Sequence, residues 1–385
     1  MKKSDISFKT YYSFPDEELK KKGTYLEKES NASFMLCWPW IETWLSKVDH
    51  QRYVIEGIRD NKTVLLTIVS LVKSISRKNF MHSSRLIFNH TGDMEKDKIC
   101  TEYNSLLVSR EGEKDILNAF WNFILNTELF GKFDEILIPY ATEEWKEKLA
   151  NNPMVYTDII DMPAYEVNLQ KLRETDCKYL SSLSGKNRKQ IRISIEEYEK
   201  KFDKIILVHA SSLKEAQEWF REMETYHLQR WGDSSGFLVP SFKTFHNSLI
   251  TKYFDSGIID IIRVTAGNYN IGIIYNFING DEVLVYLTVF QYLENYKFKP
   301  GLTTHALCIQ DYLDRGKSVY NFMAGEAQYK ASLGEQGKHL YHLRYSKRQF
   351  KFFVDNFYSN HLVETYNKTK AIGNVMAMMF PGITF

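Results

Sequence analysis

The chain has 385 residues, and its 50 basic and 48 acidic side chains give a formal net charge of +2. Hydrophobic residues make up 44% and aromatic residues 15% of the sequence, which excludes an intrinsically disordered chain. The near-zero net charge argues against a dedicated nucleic-acid partner, and no run reaches the roughly 18 apolar residues of a membrane-spanning helix.

The first half of the chain is predicted to alternate helices and strands, because its apolar residues change between helical and strand spacing. The predicted helices span 38–48, 113–126 and 143–150, and the predicted strands span 52–57, 63–72, 85–89, 103–108 and 134–139, followed by an extended segment at 156–168. Asp60-Asn61 is the turn between the first two strands.

The second half repeats this alternation. Its predicted helices span 184–202, 212–230, 242–254, 302–315 and 326–333, and its predicted strands span 205–209, 258–266, 269–278, 282–289, 318–323 and 340–345. The pair Asn279-Gly280 is a hairpin signal. The apolar, Met-rich tail at 371–385 is expected to pack on the rest of the molecule.

A weak internal repeat links the two halves. The segment GKFDEILIPYATEEWK begins at Gly131, and GKSVYNFMAGEAQYK begins at Gly316, with the same strand–helix succession and a one-residue gap. The repeat predicts two related α/β domains, at 1–165 and 166–385, each a mixed sheet flanked by helices. Their net charges are −3 and +5, so an anionic ligand is attracted more readily to the second domain.

The start of the helix predicted at 302–315 suits a phosphate group. The segment Lys297–Thr304 (KFKPGLTT) combines two lysines with Pro-Gly, and the backbone N–H groups of a helix start favour phosphate. The corresponding start in the first domain, Ser109–Asp115, contains three acidic residues, which would repel a phosphate. The alternative is that Pro-Gly simply joins a loop to a helix.

The four cysteines, Cys37, Cys100, Cys177 and Cys308, are widely scattered. They form no CxxC pair and no zinc-like spacing with histidine, so no metal site is predicted. We expect reduced thiols in a cytoplasmic protein, since the amino-terminal segment also lacks the apolar core of a signal peptide.

Four segments occur in an order that matches a known family over about residues 175–345. They are the pattern L-S-x-x-x-R-x-x-I-R at 183–192, His227-Leu228-Gln229-Arg230-Trp231 at a helix end, Lys299-Pro300-Gly301 after the strand at 283–289, and Gly325-Glu326-Ala327-Gln328-Tyr329-Lys330. On these segments the second half resembles the GNAT acyltransferase superfamily. It is most similar to the CelD-like group of cellulose-synthesis loci, which is related to the FemAB peptidyltransferases.

The resemblance implies two tandem GNAT-like folds, of which the second binds an acyl-coenzyme A such as acetyl-CoA. The residues that would bind pantetheine are Val285, Tyr286, Leu287, Thr288 and Val289. Those that would hold the phosphates are Lys297, Lys299, Gly301, Leu302, Thr303 and Thr304. The usual Arg/Gln-x-x-Gly-x-Gly/Ala loop of GNAT enzymes is missing, so individual phosphate contacts stay open.

The resemblance also implies direct acyl transfer, which needs a base for the nucleophile and an acid for the leaving thiolate. His227 is a candidate base because its pKa lies near neutrality, and Glu326 is another if burial raises its pKa. Tyr329 is the candidate acid. Each residue also has a structural interpretation. His227 could be a helix-end histidine packed on Trp231, Glu326 a solvated first-turn carboxylate, and Tyr329 an aromatic core contact.

Four further residues are expected to contact the acceptor: Arg188, Arg192, Trp231 and Lys330. The basic residues of this helix also fit a solvated face with local ion pairs at i, i+4 spacing, and Lys330 could instead cover its helix.

The leading hypothesis is an acyl-CoA-dependent N- or O-acyltransferase that acts on a small-molecule, saccharide or envelope-precursor acceptor. A second hypothesis is a FemAB-like transferase that takes an aminoacyl group from aminoacyl-tRNA, the one case in which a nucleic acid is an expected partner. A third is a non-catalytic GNAT-like binding module.

Overall fold

The computed structural model describes residues 6–12, 17–49, 51–75, 82–131, 133–150 and 155–346. Within these ranges the chain forms eleven α-helices and thirteen strands that belong to one continuous mixed sheet. The tail at 371–385, predicted to pack on the body, lies outside the described residues.

The predicted elements agree closely with the observed ones. The strands are β1 Ser7–Tyr11, β2 Tyr53–Arg59, β3 Lys62–Ile75, β4 His82–Phe88, β5 Leu107–Val108, β6 Glu135–Thr142, β7 Val155–Asn168, β8 Ile205–His209, β9 Ile259–Ala266, β10 Tyr269–Asn279, β11 Glu282–Phe290, β12 Val319–Ala324 and β13 Glu335–Ser346. The helices are α1 Glu17–Glu29, α2 Trp38–Lys47, α3 Glu113–Asn126, α4 Glu143–Leu149, α5 Leu169–Glu174, α6 Tyr179–Ser182, α7 Gly185–Phe202, α8 Leu213–Trp231, α9 Pro240–Tyr253, α10 Pro300–Asp314 and α11 Gln328–Leu333.

Two differences have clear physical reasons. The strand predicted at 103–108 is reduced to the two residues of β5, because the residues before it form a loop inside the first half. Helix α1, which was not predicted, is rich in lysine, and its buried residues are Leu19, Gly23 and Leu26. A Cβ atom at Gly23 would lie 2.3 Å from the Trp38 ring, so glycine is required where α1 crosses α2.

Local signals set the ends of several elements. Asp60 and Asn61, with φ angles of 51° and 59°, form the two-residue turn between β2 and β3. Asn279 pairs directly with Glu282, so Gly280 and Asp281 form the turn between β10 and β11. Helix α8 begins with a capping interaction, in which the Glu215 N–H donates to the Ser212 hydroxyl at 3.2 Å.

The order of the strands shows how the two halves are joined. The strand order in the sheet is β1-β2-β3-β4-β6-β13-β7-β12-β11-β10-β9-β8. This order is symmetric about its centre when each strand of the first half is matched, in chain order, with one of the second. The matched strands are β1, β2, β3, β4, β6 and β7 of the first half with β8, β9, β10, β11, β12 and β13 of the second. Strand β13 lies between β6 and β7, and β7 pairs with β12. The last strand of each half is therefore inserted beside the other half. The domain boundary predicted at 165/166 falls within β7, and its placement stays a prediction.

Matching irregularities support the correspondence. Strand β6 bulges over Ile138–Ala141 against β13, and β12 bulges over Asn321–Ala324 against β7. The third residue of each bulge, Tyr140 or Met323, has a positive φ, of 56° and 62° respectively. The repeat suggested by the sequence is thus present in the backbone.

Both halves contain a parallel strand pair that separates after three residues. In the first half, β4 and β6 pair through Ile87↔Leu137, and in the second half, β11 and β12 pair through Leu284↔Asn321. In the first half Asn104 fills the gap: its N–H donates to Tyr140 O at 3.0 Å, and its side-chain amide donates to Phe88 O at 3.0 Å. In the second half β11 continues to Phe290 beyond its last pair with β12.

The core forms three clusters of buried side chains. One cluster spans both halves on one face of the sheet, where α2 packs against α9. There the Trp40 ring lies 4.7 Å from Phe245 and 5.7 Å from Phe277, measured between centroids. The other two clusters each serve one half, beneath α3 and α4 or beneath α7 and α10. The shared cluster makes the two halves one packed body.

Candidate functional site

A cleft opens where β11 and β12 separate. It has a volume of about 350 Å³ and is lined by the second half of β11, the end of β12, helix α11, the end of α8 and the segment before β5. Between Val285 and Phe290, β11 pairs with β10 on one side and no longer with β12 on the other, and residues 285–288 of this stretch line the cleft. A strand edge of this kind can hydrogen-bond an extended ligand.

The cleft brings together many of the residues that the sequence analysis selected. Its lining includes Val285, Tyr286, Leu287, Thr288, His227, Trp231, Tyr329 and Lys330. It also includes Lys98, Cys100 and Glu102 from the first half, which the sequence analysis did not select. The site is therefore built from both halves of the chain.

The bulge at the end of β12 organises the floor of the cleft. The N–H of Ala324 donates to Glu102 Oε2 at 2.8 Å. The buried Lys330 ammonium donates to the carbonyl oxygens of Ala324 at 2.5 Å and Met323 at 3.3 Å. Lys330 was expected to bind an acidic group of the acceptor or to cover its helix, but its ammonium is used to hold the bulge.

Glu102 has the electrostatic character of a proton acceptor. Burial raises the pKa of its carboxyl to about 7, although the Ala324 N–H and the Lys330 ammonium oppose this rise. Burial lowers the pKa of Lys330, and the nearby Glu102 carboxylate opposes that change. A carboxyl group that titrates near pH 7 can both accept and release a proton under ordinary conditions.

Tyr329 also lines the cleft. Burial raises the pKa of its hydroxyl to about 12, and a hydrogen bond with Thr288 partly counters this effect. Its ring stacks on His305 with centroids 5.3 Å apart, and Nδ1 of that histidine lies 2.9 Å from the Tyr320 hydroxyl. Tyr329 therefore keeps its proton at neutral pH and is fixed in place, as an acid toward a thiolate would need to be.

His227 reaches the cleft from the end of α8. Its Nδ1 atom lies 2.8 Å from the Ser235 hydroxyl, and its ring is 6.2 Å from the Trp231 ring. Burial lowers the pKa of His227, so the ring is neutral at pH 7. His227 thus packs against Trp231 at the end of its helix, and it also lines the cleft.

Tyr286 connects the cleft to the shared core. Its hydroxyl lies 3.0 Å from Nε2 of His246, a fully buried residue of α9. Burial lowers the pKa of His246 to about 3, so this imidazole is neutral. The pair fixes the Tyr286 side chain at the bulge that β11 makes against β10.

The start of α10 retains only part of the predicted phosphate site. The Thr303 and Thr304 side chains are fully buried, and the Thr303 hydroxyl donates to Ser194 at 2.8 Å. Lys297 is paired with Glu197 at 3.0 Å. These three side chains are therefore directed to the protein itself. Lys299 and the backbone N–H groups of Gly301 and Leu302 remain suitable for an anion.

Three other candidates lie outside the cleft. Glu326 is exposed and precedes α11, so it lacks the burial on which its proposed role as a base depended. Arg188, which is half-buried on α7, donates to Ser181 O at 3.2 Å. Arg192 lines a separate groove beside α5, α6 and α10. An acceptor bound in the cleft would therefore not meet these two arginines.

Glu102 could not be identified from the sequence. It lies in an irregular segment without a motif, and its partner Ala324 is 222 residues away along the chain. Its position depends on the packing of the first half against the bulge of β12. Cys100 and Lys98 reach the cleft for the same reason, and burial raises the pKa of the Cys100 thiol, with the Glu102 carboxylate adding to the shift.

The described part of the chain contains no group of three or more His, Cys, Asp or Glu side chains that could hold a metal ion. Its helices include none with both the length and the apolar character needed to cross a membrane. All four cysteines are free thiols, of which Cys37 and Cys308 are buried.

One family model matches part of the second half. Residues 185–331 match the family model described as an acetyltransferase (GNAT) domain. This segment contains α7–α10, β8–β12 and the start of α11, and hence most of the cleft contributed by the second half. A search of curated proteins found no match.

Several solved structures share the fold over nearly the whole chain. L-PGS from Bacillus licheniformis has 11% identity and a TM-score of 0.54, with 91% of this chain and 98% of that chain covered. A conserved protein of unknown function from Bacteroides thetaiotaomicron has 10% identity and a TM-score of 0.53, with coverages of 88% and 100%. FemX has 12% identity and a TM-score of 0.51, with coverages of 87% and 97%. At these identities the likeness concerns the fold alone.

Proposed function

We propose that this protein transfers an acyl group from an acyl-coenzyme A, in the first instance acetyl-CoA, directly to an amine or hydroxyl of an acceptor bound in the cleft. The observation that carries the proposal is the separation of β11 from β12. It leaves the backbone edge of residues 285–288 at a cleft that is also lined by Glu102, Tyr329 and Lys330. The match of residues 185–331 to the acetyltransferase (GNAT) domain supports the same reaction class.

The described residues fit an extended thioester ligand. Pantetheine would hydrogen-bond the free edge of β11 in the manner of an added strand. Its pyrophosphate would meet the N–H groups of Gly301 and Leu302 and the Lys299 ammonium. A Cβ atom at Gly301 would lie 3.3 Å from the Phe290 ring, so a side chain there would narrow the approach to the helix start.

The proton transfers are assigned to Glu102 and Tyr329, which both line the cleft. The acceptor nitrogen or oxygen forms a bond to the thioester carbonyl carbon as the carbon–sulfur bond breaks. Glu102 accepts a proton from the nucleophile, because its carboxyl titrates near pH 7. Tyr329 donates its hydroxyl proton to the departing thiolate and regains one from solvent. His227, which also lines the cleft, is the alternative base.

Coenzyme binding is tested by thermal unfolding with and without acetyl-CoA. A ligand that binds only the folded protein stabilises it by about 2.7 kcal/mol at one hundred times its Kd, so the midpoint temperature should rise. Gly301→Asp should abolish most of this rise, because it adds a negative charge and bulk at the helix start. Gly185→Asp is the matched control, since Gly185 starts α7 and has no neighbour within 4 Å of a Cβ atom.

The outcomes separate the parts of the proposal. If millimolar acetyl-CoA leaves the wild-type midpoint unchanged, acyl-CoA is not the donor. If the rise persists in Gly301→Asp, the donor binds but its phosphates lie elsewhere. If acetyl-CoA binds and no acceptor releases free thiol, the protein is a binding module.

A second candidate is a transferase that uses aminoacyl-tRNA. It is supported by the fold that this chain shares with FemX and L-PGS over most of its length, together with the sequence resemblance to the FemAB group. Retention of tRNA that weakens steeply as salt increases, without any effect of acetyl-CoA on stability, would favour this donor over acyl-CoA.

A further inference from the structure

A groove beside α10 plays no part in the proposed reaction. It has a volume of about 580 Å³ and lies between α7, α10 and the segment that contains α5 and α6. The residues that line this groove and those that line the cleft are entirely different. The groove is therefore a separate concave surface of the second half, and it is the larger of the two.

The sequence motif at 183–192 leads to this groove. The Ser184 hydroxyl accepts a backbone N–H in the first turn of α7 at 3.2 Å, and Ile191 is fully buried in the core cluster of the second half. Arg188 donates to a backbone carbonyl at 3.2 Å. These three residues therefore serve the fold. Arg192, in contrast, is exposed at the groove, and its guanidinium has no hydrogen-bond or ion-pair partner within the described ranges.

The floor of the groove is aliphatic. Six apolar side chains form it: Leu172, Leu180, Ile195, Ala306, Leu307 and Leu313. All six belong to the core cluster of the second half or pack against it, and each is buried or half-buried. A recessed apolar surface of this kind favours an alkyl chain, because covering it releases water from both surfaces.

The charged side chains of the groove include two uncommitted cations. Arg173 donates to a backbone carbonyl beyond α10 at 2.9 Å, and Asp314 accepts from a glutamine one turn earlier at 2.8 Å. The other carboxylate of the lining, Asp176, is exposed. The side chains of Lys178 and Arg192 have no hydrogen-bond or ion-pair partner in the part of the chain that the structure describes. Three cations thus face two carboxylates, and the excess charge attracts an anion.

The dimensions of the groove suit one amphiphilic molecule. Arg192 lies toward the start of α10, because Ser194 on the same helix contacts Thr303 there at 2.8 Å. From this end the lining continues along α10 from Ala306 to Asp314, about 12 Å at 1.5 Å per residue. An extended alkyl chain of about ten carbons, with bonds of about 1.5 Å, has a similar length. Since an apolar cavity of about 150 Å³ holds one benzene molecule, about 580 Å³ holds roughly 20 non-hydrogen atoms.

We propose that this groove binds a free fatty acid of medium chain length, with its carboxylate at Lys178 and Arg192 and its alkyl chain along α10 toward Leu313. A single chain fits better than a bilayer, because the aliphatic side chains lie at the floor of a concave groove and do not protrude. The inference concerns a site outside the cleft, so it does not depend on the proposed acyl transfer.

Calorimetry with decanoate, kept below the concentration at which it forms micelles, tests binding in the absence of acetyl-CoA. We expect decanoate to bind and butanoate to bind at least ten times more weakly, because butanoate buries far less of the aliphatic floor. Decyltrimethylammonium keeps the chain but carries a positive head, so it should also bind at least ten times more weakly. The inference fails if decanoate does not bind, or if the cationic amphiphile binds equally well.

Substitutions test the head and the chain separately. Arg192→Gln should weaken decanoate binding roughly tenfold, because a charge-assisted hydrogen bond is lost. Lys200→Gln is the matched control, since it removes an exposed cation of the same helix outside the lining. Leu307→Asp should abolish binding by placing a carboxylate in the floor, and its thermal unfolding shows whether it is folded. An affinity for decanoate that is unchanged in Arg192→Gln would overturn the inference, whatever the behaviour of Leu307→Asp.

A thiol in the lining reports the position of the chain. Cys177 is a half-buried free cysteine of the groove. Saturating decanoate should slow its alkylation by uncharged iodoacetamide, measured on the Cys177 peptide by mass spectrometry, whereas butanoate at the same concentration should not. A Cys177 thiol that reacts at the same rate with and without bound decanoate would place the chain elsewhere and refute the assignment.

A membrane surface presents the same chemistry, an anionic head on an alkyl chain. Sedimentation with phosphatidylglycerol vesicles distinguishes this source from a free fatty acid. We expect the protein to stay in the supernatant under conditions in which decanoate binds. Retention on the vesicles that is lost in Arg192→Gln, together with no binding of monomeric decanoate, would assign the groove to a bilayer and overturn the inference.

Discussion

The pKa of the Glu102 carboxyl group lies near neutrality because its neighbours act on it in opposite directions. Burial favours its protonated form, whereas the Ala324 N–H and the Lys330 ammonium favour the carboxylate. None of these neighbours lies near Glu102 in the sequence, so the pKa depends on the tertiary structure. A general base works best when its pKa lies near the working pH, a condition that the buried Glu102 carboxyl meets.

Replacing Glu102 by glutamine should lower kcat by a factor of about 10² to 10⁴, the range for loss of a general base. Glutamine keeps the size of the side chain and can still accept from Ala324 N–H, so the protein should fold and bind acetyl-CoA normally. Steady-state kinetics and thermal unfolding check both points. Glu111→Gln, which changes an exposed carboxylate of the same half, serves as the control. Undiminished kcat in Glu102→Gln would leave His227 as the base.

The pH dependence gives a separate test of the same residue. The wild-type rate should rise with pH through about 7, because Glu102 must be deprotonated to act. The Lys330 ammonium lowers the pKa of Glu102, so Lys330→Met should move this rise to higher pH. The measurement is a profile of kcat/KM from pH 5 to 9. A rise that keeps its position in Lys330→Met would show that another group titrates.

Among the elements, the edge strand β8 is secured by one histidine. The His209 ring is bracketed by Asp260 of β9, 2.8 Å from Nδ1, and Asp311 of α10, 2.9 Å from Nε2. Burial acts to lower the pKa of His209, but hydrogen bonds and charges from the two carboxylates outweigh it and raise the pKa to about 9. The protonated ring thus joins β8 to the neighbouring strand and to the helix above.

This arrangement predicts a loss of stability in mild alkali. The folded protein holds the proton more tightly than the unfolded chain, so the stabilisation is complete below about pH 6.5 and disappears as the pH rises to about 9. The loss in unfolding free energy should be at most about 3 kcal/mol, since one pKa unit corresponds to about 1.4 kcal/mol. Urea unfolding at pH 6 and pH 9 measures it. In His209→Gln this pH dependence should largely vanish; if it persists, other groups cause it.

The two gaps between parallel strands explain why one half is the better candidate for coenzyme binding. In the first half, Asn104 occupies the gap and bonds both Tyr140 O and Phe88 O. In the second half, the edge of β11 faces an open cleft. The acidic helix start in the first half adds a second reason, since α3 follows Glu111 and begins with Glu113 and Asp115. The two halves therefore have the same topology at the strand gap and the following helix, but only the second half suits a phosphorylated ligand.

At the scale of the whole molecule, the exchanged strands make each half depend on the other. Leu343 belongs to β13, near the end of the described chain, yet it is fully buried in the core cluster of the first half. Leu343→Ala should therefore lower the unfolding free energy by roughly 2 to 5 kcal/mol through the cavity it leaves. Denaturant unfolding followed by tryptophan fluorescence measures the loss, with Val208→Ala on the exposed edge strand β8 as the control.

The same variant tests cooperativity between the halves. If both halves unfold together, a single transition should shift in Leu343→Ala, and hydrogen exchange should quicken in α3 and α10 alike. Two transitions, of which only one responds, would show that the halves unfold independently despite the exchanged strands and the shared core.

Local chemistry by itself determined the helices, the hairpins and the repeated order of elements. The turns at Asp60-Asn61 and Gly280-Asp281, the cap at Ser212 and the start of α10 at Pro300 each depend on residues close together in the chain. Such short-range signals survive in the sequence because their partners lie within a few residues. The motif that ends in Tyr329 and Lys330 belongs to this class, and it led to one wall of the cleft.

Only the tertiary structure decided which of the selected residues meet and which others join them. Packing buried Thr303 and Thr304, left Glu326 in solvent and separated Arg188 and Arg192 from the cleft. The exchange of β7 and β13 merged two predicted sheets into one. Glu102 reached Ala324 across 222 residues of chain. Contacts of this kind arise when two halves pack across a shared core, and no spacing along the chain encodes them.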